Sequence, residues 1–141
     1  MTVNTTHHVG ITVRDLETVR SFYSNVLGLS VVDTFDVSGT AFEDAVDVSD
    51  AAGSFAHLES DDGDVRIELI EYEPEARASR AESINQPGAT HVGFAVDDLE
   101  TFAETIPADV ETLSEPKTTA SGTTIMFLRD PEGNLVEILE T

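Results

Sequence analysis

The sequence contains no cysteine and only one lysine, Lys117. Without cysteine the chain can form no disulfide, no thiolate metal site and no cysteine nucleophile. Its apolar runs fall well short of the roughly 20 residues that a membrane-spanning helix needs. Residues 1–4 also lack the basic and apolar segments of a secretory signal. These absences predict a soluble, cytoplasmic protein without a membrane partner.

Positive charge is scarce throughout the chain. There are 28 Asp and Glu residues against 7 Lys and Arg residues, which gives a formal net charge of -21. Such a field repels nucleic acid and anionic lipid, so neither is expected as a partner. Disorder is disfavoured because apolar residues make up 40% of the chain and fall in periodic runs. We therefore interpret the acidity as halophilic: a folded domain whose self-repulsion is screened at high salt.

A repeated motif organises the rest of the sequence. The tripeptide at residues 8–10, His-Val-Gly, returns at residues 91–93, and each copy leads through strand-like residues to Asp-Leu-Glu-Thr. The spacing of 83 residues exceeds half of the 141-residue chain, which indicates a single duplication. We expect one domain, residues 1–141, made of two repeats at about 6–73 and 89–141 with a connector at 74–88.

Each repeat predicts the element order β-α-β-β-β. In the first repeat we expect a helix from Leu16 to about Leu27 that is capped by Asp15, a loop with a short helix at 36–53, and a hairpin turn at 61–64. The expected strands are at 7–13, 29–35, 54–59 and 65–72. In the second repeat we expect a helix that is capped by Asp98 and ends near Ile106, a polar loop at 116–122, and strands at 91–96, 110–113, 123–128 and 135–139. The predicted class is α+β: two tandem βαβββ modules forming a curved mixed sheet, a half-barrel or barrel, with helices on the convex face.

The first and last strands of each repeat carry the side chains that could bind a metal or transfer a proton. When the last strands are aligned, Glu68 matches Glu137. The two-residue period of a strand directs the apolar residues towards the helices and turns His8, His91 and these two glutamates to the other face. Two imidazoles and two carboxylates suit a divalent transition metal such as Ni, Co, Zn, Mn or Fe.

Several alternatives remain open at this point. His8 and His91 could be ordinary strand histidines that were duplicated with their strand. His7 is the alternative to His8, but it lies one residue out of register and should face the helices or solvent. Glu71 is the alternative to Glu68; it aligns with Glu140, and both fall on the helix side at strand ends, where we expect them to be solvated.

His57 and Arg66 lie near these strands, and each has two possible roles. His57 could line a pocket beside Glu68 or be a plain sheet histidine. Arg66 could bind a carboxylate or phosphate of a substrate, or it could offset acidic neighbours. Arg77 and Arg80 lie in the connector and are expected to be solvated. The turn at 130–134 is expected to be structural, positioning the last strand.

Taken together, these features resemble a known superfamily. The twofold order, the paired His-Val-Gly strands, residues 15–29 and residues 127–137 are similar to the vicinal oxygen chelate superfamily, which includes glyoxalase I, methylmalonyl-CoA epimerase, extradiol dioxygenases and fosfomycin and bleomycin resistance proteins. The resemblance covers nearly the whole chain. It implies one divalent metal bound by His8, Glu68, His91 and Glu137. Glu68 as a fourth ligand is more similar to the glyoxalase I and epimerase branches.

The resemblance also implies an activity. In those branches the metal acts as a Lewis acid on a substrate carbonyl while a carboxylate, Glu137 or Glu68, transfers the neighbouring proton. This predicts a lactoylglutathione lyase-like or methylmalonyl-CoA epimerase-like enzyme acting on a small molecule. The alternatives are a non-enzymatic small-molecule or antibiotic-binding protein of the bleomycin-resistance type and an extradiol-type dioxygenase. The superfamily commonly forms homodimers, so a homodimer is expected.

Overall fold

The computed structural model describes residues 1–77 and 81–141. Contacts divide the chain into two compact units, which we call the first unit (1–77) and the second unit (78–141). The boundary falls inside the predicted connector, and the assignment of a single domain stays a prediction. Arg77 is exposed, as expected, whereas Arg80 lies outside the described residues. Within those residues no helix is both long enough and apolar enough to cross a bilayer.

The first unit contains one four-stranded mixed sheet and two helices. The helices are α1 (Leu16–Asn25) and α2 (Thr40–Val46), and the strands are β1 (His8–Thr12), β2 (Ser30–Ser38), β3 (Ala52–Glu59) and β4 (Arg66–Glu73). The strand order is β1-β4-β3-β2. Strand β1 runs parallel to β4, whereas β3 is antiparallel to both of its neighbours.

The second unit repeats this arrangement with a shorter edge strand. It contains helix α3 (Leu99–Thr105) and strands β5 (His91–Ala95), β6 (Lys117–Thr118), β7 (Thr124–Arg129) and β8 (Leu135–Glu140). The strand order is β5-β8-β7-β6, with β5 parallel to β8. The predicted α+β class and tandem βαβββ order are therefore confirmed, and the sheets are not closed into a barrel.

One predicted strand is wrong. At 110–113 the chain forms only an isolated bridge between Thr112 and Leu128, next to a backbone hydrogen bond of 2.9 Å from Leu113 N to Phe127 O. The paired edge strand is β6 instead, inside the stretch expected to be a polar loop. Pro116 separates the two segments, and proline cannot donate a ladder hydrogen bond, which explains why pairing is interrupted there.

Both predicted aspartate caps are present at the helix starts. Asp15 Oδ1 accepts a hydrogen bond of 3.1 Å from Thr18 N, and Asp98 Oδ1 accepts one of 2.9 Å from Thr101 N. These backbone hydrogen bonds, followed by the threonine hydroxyls, hold the pKa of each carboxyl below its ordinary value. The caps satisfy N–H groups that a helix start leaves unpaired, so the duplicated Asp-Leu-Glu-Thr motif has a direct structural role.

The apolar face of the first sheet packs against α1. The side chains that carry this contact are at most 3% exposed: Val19, Tyr23, Ala56, Leu58, Ile67 and Leu69. Burial of each large side chain stabilises the fold by about 1.5–3 kcal/mol. A one-residue slip of β4 would move Ile67 and Leu69 into the opposite face, so this packing fixes the register. It also fixes which residues of β1 and β4 face away from the helix.

Candidate metal-binding site

His8 and Glu68 form a close pair in the first unit. In the parallel register His8 lies opposite Arg66 and Gly10 lies opposite Glu68, so all four share the face away from α1. His8 Nε2 is 3.5 Å from Glu68 Oε1. The side chain of His8 is 38% exposed and that of Glu68 only 12%, so the imidazole forms the rim of the pair and the carboxylate its floor.

His91 and Glu137 form the equivalent pair in the second unit. Gly93 lies opposite Glu137 in the register of β5 and β8. His91 Nε2 is 3.2 Å from Glu137 Oε2, with side-chain exposures of 40% and 19%. The duplication has therefore kept both the register and the contact between imidazole and carboxylate.

The spacing within each pair fits two ligands of one metal ion. Two donors bonded at about 2.1 Å lie about 3.0 Å apart at a 90° ligand angle and about 3.4 Å apart at a tetrahedral angle. The separation of 3.2 Å in the second unit lies within this range, and that of 3.5 Å in the first unit lies just beyond its upper end. Across residues 1–77 and 81–141, no group of three or more His, Asp or Glu side chains is arranged to hold a metal. We call each imidazole–carboxylate pair a half-site, because it places two potential donors side by side.

The glycine of each His-Val-Gly motif keeps space beside the carboxylate. A Cβ atom built at Gly10 would lie 3.9 Å from Glu68 Oε1, and one at Gly93 would lie 3.6 Å from Glu137 Oε2. These distances are ordinary van der Waals contacts, so a methyl group would not clash but would occupy the space beside the oxygen. The two glycines therefore leave open space beside the carboxylate oxygens.

His57, which was expected either to line a pocket or to be a plain sheet histidine, contacts Glu68 directly. It lies directly opposite Glu68 on β3, and its Nε2 is 2.6 Å from Glu68 Oε2. His57 is 6% exposed. Counting back along both strands from the predicted hairpin turn at 61–64 places residue 57 opposite residue 68. The sequence therefore contained the information needed to predict this pair. The consequence is that one oxygen of Glu68 is held by a buried imidazole.

Arg66 is occupied by protein groups rather than left open to an anionic ligand. Its Nε donates to Glu59 Oε1 at 2.6 Å, and its Nη1 lies 3.4 Å from His57 Nδ1. Of the two predicted roles, this geometry supports offsetting acidic neighbours. His7, which precedes β1, is exposed and places its Nδ1 2.8 Å from His8 Nδ1. That contact involves Nδ1 of His8, and Nε2 is the ring atom that faces Glu68.

The prediction that Glu71 and Glu140 are solvated is wrong. Leu16 N donates a hydrogen bond of 3.0 Å to Glu71 Oε2, and Leu99 N donates one of 2.7 Å to Glu140 Oε2, both part-buried. The last strand of each unit ends beside the start of a helix, where unpaired N–H groups and the helix dipole attract a carboxylate. Glu71 and Glu140 therefore stabilise helix starts, whereas Glu68 and Glu137 face histidines on the other side of the sheet.

An aromatic cluster continues from the half-site of the first unit. The Phe35 ring lies edge-on to His57 at 5.1 Å and stacks on Phe55 at 4.9 Å. Phe42 of α2 contacts both Phe55 and Tyr72 at 6.1 Å between ring centroids. This cluster supplies an apolar wall next to the buried imidazole.

Comparison with known proteins agrees with this architecture. A family described as Glyoxalase/Bleomycin resistance protein/Dioxygenase superfamily matches residues 5–138. A glyoxalase-family protein from Bacillus cereus is 23% identical, with a TM-score of 0.89 over 99% of this chain and 95% of that one. A glyoxylase/bleomycin resistance protein/dioxygenase domain from Frankia sp. EAN1pec is 20% identical, with a TM-score of 0.70 over 99% and 93%. A glyoxalase I variant from Zea mays is 19% identical, with a TM-score of 0.64 over 95% and 43%. No curated protein matches the chain.

Proposed function

The chain belongs to the Glyoxalase/Bleomycin resistance protein/Dioxygenase superfamily, and on that premise we propose that it is a metal-dependent, glyoxalase-like lyase or isomerase. The proposed reaction is proton transfer next to the carbonyl of a small-molecule substrate. The observation that carries the proposal is the duplicated half-site, in which His8 faces Glu68 and His91 faces Glu137 with donor separations of 3.5 and 3.2 Å.

The proposed ligand set is His8, Glu68, His91 and Glu137. Catalytic metal sites in proteins combine three or more protein ligands with an open position for water or substrate. Each unit supplies two of these four donors. Two imidazole nitrogens and two carboxylates leave open positions on a six-coordinate ion, and this donor mixture suits Ni, Co, Zn, Mn or Fe.

Proton transfer next to a carbonyl requires a polarising group and a base, and the side chains of the half-sites could supply both. A bound divalent metal would polarise the substrate oxygen as a Lewis acid, which acidifies the neighbouring C–H. A carboxylate within reach of that carbon then accepts the proton and returns it. Glu68 and Glu137 are the proposed base candidates. The net charge of -21 offers little attraction for polyanionic substrates and favours small, weakly charged carbonyl compounds.

Metal binding tests the proposal directly. Protein purified without chelator is analysed for transition metals, and chelator-treated protein is titrated with Ni²⁺, Co²⁺, Zn²⁺ and Mn²⁺ by calorimetry. We expect about one equivalent per chain, and weaker binding for His8→Ala and Glu137→Ala because each variant removes one of the proposed ligands. Glu115→Ala, which removes an exposed loop carboxylate, is the matched control and should bind normally.

The outcomes separate the rival functions. Less than about a tenth of an equivalent of metal, with no binding on titration, would overturn the proposal, since a metal-dependent catalyst requires its ion. Small-molecule binding without metal would then indicate a sequestering protein. A Glu68→Ala variant that keeps an active iron site would indicate a dioxygenase. The metal-loaded protein is finally assayed for exchange of solvent deuterium into α-hydroxycarbonyl compounds and thioesters.

A further inference from the structure

The two half-sites differ on the strand next to the glutamate. His57 lies opposite Glu68 in the first unit, whereas Phe127 lies opposite Glu137 in the second. The ring of Phe127 lies edge-on to His91 at 5.2 Å, where His57 stacks against His8 at 6.0 Å. One glutamate therefore has a polar neighbour at this position and the other an aromatic hydrocarbon.

The partners of His57 assign its tautomer. Glu68 Oε2, 2.6 Å from His57 Nε2, can only accept when ionised, so Nε2 carries the hydrogen. Arg66 Nη1, 3.4 Å from Nδ1, can only donate, so Nδ1 carries none. Arg66 is itself held by Glu59 at 2.6 Å. The hydrogen bonds from Glu59 through Arg66 to His57 thus favour the ring tautomer whose N–H points at Glu68 Oε2.

This arrangement gives the two oxygens of Glu68 different partners. Oε2 is bound by His57, and Oε1 faces His8 Nε2 at 3.5 Å. Rotation of the carboxylate would break a hydrogen bond in a buried place, which is unfavourable. Among the described residues, His91 is the one side chain that pairs with Glu137, and Phe127 has no hydrogen to donate.

We infer that His57 is a positioning residue, an inference that rests on the proposed metal-dependent function. It holds Glu68 as the fixed carboxylate ligand, with Oε1 presented beside His8. Glu137 lacks such a support and would be the less restrained of the two carboxylates if both held a metal. Partners that orient a ligand in this way stabilise metal binding without touching the ion.

Metal affinity of three variants of the full chain tests this role. His57→Phe reproduces the side chain found at the equivalent position of the second unit and should weaken Co²⁺ binding roughly 10- to 100-fold, as loss of a ligand's hydrogen-bond partner typically does. His57→Gln keeps an N–H donor and should recover most of that loss. Leu58→Val, a change of the buried residue next to His57, is the control that lowers stability but should leave affinity unchanged. The visible spectrum of bound Co²⁺ should shift in the phenylalanine variant alone.

Two further measurements complete the test. Nitrogen chemical shifts of the His57 ring in the metal-free wild type should show hydrogen on Nε2 and none on Nδ1; the opposite tautomer would overturn the inference. Glu68→Gln should lose more Co²⁺ affinity than Glu137→Gln, and the reverse order would also overturn it. Two results would contradict this inference alone, provided that the wild type binds Co²⁺. One is equal Co²⁺ affinity of His57→Phe and the wild type, and the other is an affinity of His57→Gln no higher than that of His57→Phe. Wild-type protein that binds no Co²⁺ removes the proposed function, and the positioning role with it.

Discussion

Removal of the Glu71 carboxylate should destabilise the first unit even though the side chain lies at a strand end. Glu71 Oε2 accepts the Leu16 N–H at 3.0 Å in a part-buried contact. Asp15 binds a different N–H of the same helix, that of Thr18. The aspartate therefore cannot replace the glutamate when the glutamate is removed. Glu71→Ala leaves the Leu16 N–H without its partner.

The expected cost follows from the kind of hydrogen bond. A hydrogen bond to a charged group contributes about 1.5–3 kcal/mol, and a carboxylate near a helix start gains about 0.3–1 kcal/mol from the helix dipole. Because these terms overlap and the contact is only part-buried, we expect Glu71→Ala to cost about 1.5 kcal/mol. An unfolding entropy of about 2.1 cal/mol/K per residue converts this to a fall in Tm of about 5 °C for a chain of this length. Glu71→Gln keeps an acceptor oxygen and should lose about half as much.

Urea unfolding, followed by circular dichroism, measures the change. The control is Glu115→Ala, which removes the same charge from an exposed loop of this strongly acidic chain. By relieving self-repulsion, that variant should be neutral or slightly stabilised. Glu140→Ala tests the equivalent contact to Leu99 N and should resemble Glu71→Ala. Equal stabilities for Glu71→Ala and Glu115→Ala would refute the reasoning.

Two further predictions concern solution conditions. The pKa of Asp15 and of Asp98 is held below the ordinary 3.8 by helix N–H bonds, so both caps stabilise the fold above pH 3.8 and lose this effect as the pH falls through the lowered values. The Asp15→Ser/Asp98→Ser variant accepts the same bonds without titrating, and its unfolding free energy should fall less steeply on acidification; parallel curves would contradict this. Separately, molar KCl should raise the urea midpoint of the wild type, because salt screens the charge of -21. Equal midpoints in dilute buffer and in KCl would show that the halophilic interpretation is wrong.

Much of the fold could be predicted because the repeats carry periodic apolar patterns. Burial of Ile67 and Leu69 in one unit, and of Val136 and Ile138 in the other, is the outcome that strand alternation predicts. The same alternation placed Glu68 and Glu137 on the other face. The aspartate caps followed from residue type alone, since a short acceptor side chain at a helix start has one favourable use.

The errors arose where tertiary contacts decide the outcome. Whether Glu71 is solvated depends on the distance between a strand end and a helix start, which no local pattern encodes. The edge pairing of the second unit likewise depends on which short segment reaches β7, and Lys117 and Thr118 do so although their sequence is polar. The pairing of His57 with Glu68 follows from the register that the turn at 61–64 sets, but the prediction placed His57 beside Glu68 without using that register.

Residues at equivalent positions of the two units can be compared to ask whether the histidines were kept for function or were copied with their strands. Positions equivalent between the units on this sheet face have changed chemical class: His57 corresponds to Phe127, and Arg66, opposite His8, corresponds to Leu135, opposite His91. Copying alone gives no reason for the imidazole, the glycine and the glutamate to survive beside such changes. The proposed ligand-binding role, which needs two donors and open space beside them, would give that reason for all three. This pattern of change favours the proposed ligand-binding role for the pairs at residues 8 and 68 and at residues 91 and 137 over duplication of a strand alone.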